Sequence, residues 1–300
     1  MRVLLTGAGG FIGREIAREL RVRGHVVAGM MRRADQCSEP EDFSADFLRP
    51  ETYREALSHF APDALIHAGW FGVAPRERDM RTQLNNIPAV GELVAQAAAA
   101  GARIVVGLGT QAEYGLTTSL VDEDAPTQPV TLYGMAKLAA GAALLRIARQ
   151  QGMRGAWGRV FGVYGPRETA PSMLPWLALM LAAGRAPELS PCTQIWDFLH
   201  VRDVARAAVA LLDCEAGEGV FNIASGAPAP LRDTVLALRD AMGSSIEPLF
   251  GAVPFGPEQI MFLGGRSDRL SKATGWRPLV PLTEGLAELA QEAFEAARLA

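Results

Sequence analysis

Cysteine is scarce: the 300-residue chain has only Cys37, Cys192 and Cys214, an odd number, scattered and without a CxxC pair. This excludes a disulfide frame or a zinc ribbon and suits a reducing cytosol. The four histidines (His25, His59, His67, His200) have no ligand spacing, so no metal site is expected. No run of five or more basic residues occurs and the net charge is −4, which argues against nucleic acid or an anionic membrane as partner. The most apolar stretch, 173–183, is interrupted by Pro175 and too short to span a bilayer. Residue 2 is already basic and 3–5 runs straight into a glycine loop, leaving no room for a leader peptide, so a cytoplasmic location is expected.

What is present is a 49% apolar chain, enough for one large or two modest domains. Short apolar runs at 2–5, 26–30, 64–67, 104–108 and 155–160 read as strands. Longer helical patterns at 11–23, 86–100 and 132–151 lie between them; Ile12, Ile16 and Leu20 share one face of the first. This βαβα rhythm predicts an α/β fold, a doubly wound parallel sheet. After Tyr164-Gly165-Pro166 prolines break the pattern, with helices expected at 205–212 and 231–242 and a surface helix at 283–299. The expected division is 1–165 as a dinucleotide-binding domain and 166–300 as mainly a smaller substrate lobe, with segments around 196–225 returning to the first domain.

Gly7, Gly10 and Gly13 form GxxGxxG between the first strand and helix. The first glycine permits a tight turn, the second a close approach of backbone N–H groups to a pyrophosphate, the third close helix–strand packing. The helix N-terminus at Phe11 and Ile12 then faces the phosphates. At the end of the second strand stand Arg32 and Arg33 rather than an acid. Two guanidiniums suit a 2′-phosphate, so NADP(H) is expected over NAD. Asp46 and Phe47 are candidate adenine contacts, and Ala68 at the end of the 64–67 strand joins the cofactor set.

Tyr133-Gly134-Met135-Ala136-Lys137 supplies the chemistry. A tyrosine with an unperturbed pKa near 10 is a poor proton donor or acceptor at neutral pH. A lysine four residues later lies on the same helix face and brings the phenol toward the working pH. Lys137 also reaches a nicotinamide ribose. Thr110, at a strand end, is the candidate to hold the substrate oxygen. Tyr114 lacks a lysine at plus four and is expected to pack or line the pocket.

Together with Asp63-Ala64-Leu65-Ile66-His67-Ala68, Arg159–Pro166, Trp196–Ala205, Phe221–Gly226 and Gly275–Pro278, these motifs resemble the extended short-chain dehydrogenase/reductases, the NAD-dependent epimerase/dehydratase family. The resemblance covers nearly the whole chain. It implies a Rossmann domain, a small nucleotide-sugar lobe, an active site between them, and a homodimer through the Tyr-Lys helix, for which the small residues of 135–145 leave room. The departures narrow the expectation. The family's dehydratases place Asp-Glu after the threonine; here stand Gln111 and Ala112, and the cysteine of its reductive 3,5-epimerases is again Ala112. The usual pyrophosphate arginine is Trp196, and a usual asparagine is Gly162. Trp196 either stacks on the sugar or base or is core; Arg167, Arg202, Arg266 or Arg269 are candidates for the lost charge. Gln111, Trp196, Arg202 and Arg266 are therefore the candidate substrate contacts. The motif Gly109–Gly115 with Gln194–Asp197 resembles the branch reducing NDP-4-keto-6-deoxyhexoses at C4. The alternatives are an NAD-dependent 4-epimerase and a non-catalytic NADP-sensing protein, although such sensors typically lack the tyrosine or lysine.

Overall fold

The computed structural model describes residues 1–168, 172–256 and 259–299. Its centre is a seven-stranded, all-parallel sheet. Strands β1 (Arg2–Thr6), β2 (Val26–Met31), β3 (Phe43–Ser44), β4 (Ala64–His67), β5 (Ile104–Thr110) and β6 (Arg154–Val160) are joined by Gly219–Ile223. The spatial order is Gly219–Ile223, β6, β5, β4, β1, β2, β3. The inner strands read as near-continuous apolar runs because helices cover both faces. One face carries α1 (Phe11–Val22), the other α3 (Asn86–Ala99) and α4 (Leu132–Gln150). The strand order reverses between β1 and β4, which opens a crevice at their carboxyl ends.

The second half of the chain is divided between this sheet and the lobe. Helix α6 (Val201–Asp213) packs against α1 on the sheet, and α8 (Asp268–Thr274) lies beside the Gly219–Ile223 strand. The lobe contains α5 (Met173–Ala182), α7 (Leu231–Ala241) and α9 (Leu282–Leu299), with short strands such as Ile195–Trp196 and Phe262–Leu263. Leu177, Leu181, Val235, Leu238, Leu286 and Leu289 form its core. Helix α9 is thus no mere surface helix: its alternating pattern buries Leu286, Leu289, Ala290 and Ala293 against α5 and α7 and leaves the acids outside.

Three elements depart from the sequence pattern for local reasons. Helix α5 tolerates Pro175 because the proline falls in the first turn, where a backbone N–H has no helical partner. Helix α6 begins four residues earlier than its periodicity suggests, since the His200 side chain caps it by accepting from Arg202 N at 3.3 Å. The seven-residue helix α2 (Arg54–Phe60) offers too short a pattern to read.

Trp157 of β6 fixes the layer spacing between β5 and α4. It is 1% exposed and occupies a slot that only glycines leave open. A Cβ on Gly107 would lie 2.5 Å from its ring, and one on Gly141 would lie 2.6 Å away. Of the small residues of α4, Gly134, Ala136, Ala140 and Gly141 face inward, whereas Ala139, Ala142 and Ala143 are not buried. Gly107→Val is expected to lower the melting temperature through overpacking worth about 1–3 kcal/mol. Valine suits a strand better than glycine, so any loss reports the clash, and an unchanged melting temperature would contradict the slot.

Candidate active site

The glycine loop is built for close approach. Gly7 has φ +71°, and a Cβ there would lie 2.8 Å from Gly69 Cα, so β1 and β4 ends meet backbone to backbone. Thr6 secures that contact: its Oγ1 hydrogen-bonds His67 Nδ1 at 2.8 Å and accepts from Gly69 N at 3.1 Å. Burial, then the Lys137 charge, lowers the His67 pKa to about 3, so this histidine stays neutral. Helix α1 starts at Gly10 with no side-chain cap and no acid in its first turn. Its first N–H groups are left for an anion. A groove of about 270 Å³ runs from the glycine loop (Ala8, Gly9) along the flank of α1 (Arg14, Ala17, Arg21), facing Met31, Gln36 and Asp42. These features fit a dinucleotide.

The other cofactor candidates lie outside the wall of that groove. Phe11 and Ile12 open α1, and Ile12 with Ala68 lines the adjoining cleft. The Arg32 guanidinium sits 5.8 Å from the Phe71 ring centre, while Arg33 pairs with Asp35 at 3.3 Å on the surface. Asp46 accepts from Leu48 N at 3.0 Å. Phe47 is buried with its ring edge-on to His67, centroids 5.2 Å apart.

A cleft of about 570 Å³ lies between the sheet ends and the lobe, and Thr110, Gln111, Tyr133, Lys137 and Trp196 all line it. Thr110 ends β5 and caps the next turn, its Oγ1 accepting from Ala112 N at 3.2 Å. Beneath it lies Glu113, fully buried. Its Oε1 accepts from Thr110 N at 2.9 Å and Trp157 Nε1 at 3.0 Å, and its Oε2 accepts from Arg159 Nε at 2.8 Å. The three-residue offset of Glu113 from the strand-end Thr110 is its signal in the sequence, since that spacing makes a capping box. Tyr114 packs rather than lining the cleft: it is buried and donates to Asn222 Oδ1 at 2.7 Å.

Tyr133 and Lys137 share a face of α4, but their charges are not arranged as the spacing suggested. Lys137 Nζ donates to Leu108 O at 2.7 Å and lies 4.0 Å from the Trp70 ring centre. Burial lowers its pKa to about 7, against the raising effect of Glu113. Burial also raises the Tyr133 phenol; the Arg78 charge and hydrogen bonding with Thr110 act in the opposite direction. Arg78 lines the cleft with its guanidinium 5.4 Å from the Tyr133 ring centre. No sequence pattern marked it.

In the lobe, the two departures at Trp196 and Gly162 are one arrangement. A Cβ at 162 would lie 2.4 Å from Asp197 O and 2.8 Å from Trp196 Nε1, so the glycine admits both the neighbouring backbone and the indole. Trp196 both packs, beside Phe198 and within two apolar clusters, and lines the cleft. The proposed replacement arginines are mostly engaged elsewhere. Arg167 pairs with Glu15 at 2.6 Å, Arg202 with Glu288 at 2.5 Å, and Arg269 with Asp124 at 2.7 Å. Arg266 is exposed and, among the described residues, is not part of the cleft wall. Glu168 is a lining residue the sequence did not suggest; burial raises its carboxyl to about 7.

The model of the NAD dependent epimerase/dehydratase family matches residues 3–224. The chain belongs to this family. Relatives along its full length are named as enzymes of different activities. It is 29% identical to 3-diazoavenalumate denitrifying reductase of Streptomyces sp, over 94% of this chain and 97% of that one. It is 30% identical to dTDP-6-deoxy-L-talose 4-dehydrogenase (NAD(P)(+)) of Kitasatospora kifunensis, over 96% and 94%. Among solved structures, MoeE5 in complex with UDP-glucuronic acid and NAD superposes with TM-score 0.87 at 26% identity, over 99% and 100% of the two chains. RMD from Pseudomonas aeruginosa, complexed with NADPH, superposes at 0.83 and 24%, over 98% and 99%. The protein is thus an enzyme of the extended short-chain dehydrogenase/reductase type, and a nicotinamide cofactor fits both its loop and its kin.

Burial of Lys137 has a consequence for stability. Its pKa is near 7 in the folded chain and 10.5 ordinarily, so unfolding takes up a proton between those values. Stability then rises with pH across that window. Lys137→Met, which keeps the side-chain bulk without the charge, is expected to flatten the rise of the urea midpoint from about pH 7 to about pH 9. Equal slopes in both proteins would contradict the burial argument.

Proposed function

We propose that this enzyme is an NADPH-dependent ketoreductase acting at C4 of a nucleotide-activated 4-keto-6-deoxyhexose. The observation that carries the reading is the convergence of Thr110, Tyr133 and Lys137 on one cleft next to the glycine loop. The full-length kinship with a deoxytalose 4-dehydrogenase supports the substrate class. Gln111 and Ala112 supply no acid for eliminating water, which disfavours a dehydratase. At the β2 end Asp35 pairs with Arg33, while Arg32 has no carboxylate partner among the described residues, which favours a 2′-phosphate.

The bound nicotinamide supplies hydride to the carbonyl carbon. The residues of the chain do the rest. Thr110 and Tyr133 hold the carbonyl oxygen, Tyr133 gives it a proton, and Lys137 holds the cofactor ribose. Leu108, Phe161, Trp196 and Leu263 form apolar walls that exclude water around this transfer.

Enzymatically generated NDP-4-keto-6-deoxyglucose should consume NADPH faster than NADH. Tyr133→Phe should retain cofactor binding and lose about 10²–10⁴-fold in turnover. An unchanged rate in that variant would sink the mechanism. Absence of NADPH consumption, with NAD found bound in the purified protein, would point instead to a 4-epimerase.

A further inference from the structure

The segment 71–79 is held firmly although it contains little regular structure. Gln83, fully buried, donates from Nε2 to Gly72 O at 2.5 Å and to Glu77 O at 3.0 Å, and its Oε1 accepts from Trp70 Nε1 at 2.9 Å. Asn86 Oδ1 accepts from Phe71 N at 3.1 Å. The segment is also docked on the start of α4. Tyr133 N donates to Arg78 O at 2.7 Å, and Leu132 N donates to Asp79 Oδ1 at 3.0 Å. Two N–H groups that a helix start leaves unpaired are thereby satisfied, and Arg78 is fixed to the residue whose ring it covers.

The charges on either side of Arg78 are taken up locally. Glu77 Oε2 accepts from Ala74 N at 3.1 Å, and Asp79 accepts from α4 as above. Among the described residues, no carboxylate pairs with the Arg78 guanidinium. An arginine remains charged at every working pH, whereas Lys137 sits near its midpoint and points at Leu108 O. We propose that Arg78 is a positioning residue for proton transfer: anchored to α4 through its own carbonyl, it places a permanent cation over the Tyr133 ring and compensates the phenolate left when Tyr133 gives up its proton.

This rests on the reading of Tyr133 as proton donor. The proton passes from Tyr133 Oη to the substrate oxygen while the carbonyl carbon receives hydride from the reduced nicotinamide. The phenolate then recovers a proton from solvent. The other charged groups around the phenol are Lys137 on the same helix and Glu113 from the turn after β5; the former is only partly charged near neutrality and the latter opposes phenolate. With the cleft open, Arg78 is exposed, so its influence is water-screened. A cation about 5 Å away in water changes a pKa by about half a unit, and more once substrate excludes water.

The test is direct titration of Tyr133 by NMR of protein labelled with ¹³Cζ-tyrosine, using Tyr133→Phe to assign its signal. In Arg78→Gln the Tyr133 midpoint should move up by about half a pH unit at low salt, and less at high salt. Arg78→Lys should keep most of the wild-type value. In turnover, Arg78→Gln should lower kcat with little change in cofactor KM and shift the alkaline limb of the rate profile upward. An unmoved Tyr133 midpoint in a folded Arg78→Gln protein overturns the proposal. Full activity of Tyr133→Phe alongside a shifted midpoint would overturn the assigned chemistry of Tyr133 while leaving the electrostatic effect of Arg78 standing.

Discussion

The site depends on a buried carboxylate. Glu113 holds the Thr110 backbone, the Trp157 indole and the Arg159 guanidinium at once. These bonds join the ends of β5 and β6 and, through Trp157, the inner face of α4 that carries Tyr133 and Lys137. Removing one partner of such a buried pair leaves an uncompensated charge at a cost of about 3–5 kcal/mol. The network reaches further: Arg159 lies 4.5 Å from the Tyr114 ring centre, and Tyr114 bonds Asn222 of the outermost strand. Thr110 therefore stands at a fixed height above the sheet because the elements beneath it are tied together.

Charge is unevenly distributed in the cleft. Trp196 and Gly162 adjoin in its wall, where a Cβ at 162 would lie 2.4 Å from Asp197 O and 2.8 Å from the indole nitrogen. The lobe side of the cleft combines Trp196, Phe198 and Leu231 with the polar side chains of Ser190, Gln194 and Gln259, and burial raises the Glu168 carboxyl there to about 7. The positive groups, Arg78 and Lys137, lie at the other end beside Tyr133.

The fold was legible in the sequence where local signals agreed with tertiary context. The strand 64–67 and the α1 and α4 patterns needed only apolar periodicity and glycine stops. The return of the 196–225 region to the sheet was expected from its motifs, and α6 and the Gly219–Ile223 strand carry it; the docking of α8 beside that strand is a long-range contact that no local pattern encodes. That Thr110, Tyr133 and Lys137 share one cleft was readable because spacing on a helix and position at a strand end are local facts. Arg78 was not, since a loop docked through backbone hydrogen bonds leaves no periodic trace. The coupling of Trp196 to Gly162 joins positions 34 residues apart by number and becomes visible only when their side-chain volumes meet.

The central claim is hydride delivery to a substrate carbonyl in this cleft. Its most direct test is incubation with the 4-keto sugar nucleotide and NADPH deuterated at nicotinamide C4, followed by NMR of the product. The account predicts deuterium on the new carbinol carbon, C4 of the hexose, in proportion to NADPH oxidised. Product with deuterium elsewhere, or interconversion of C4 epimers without net cofactor oxidation, would contradict it.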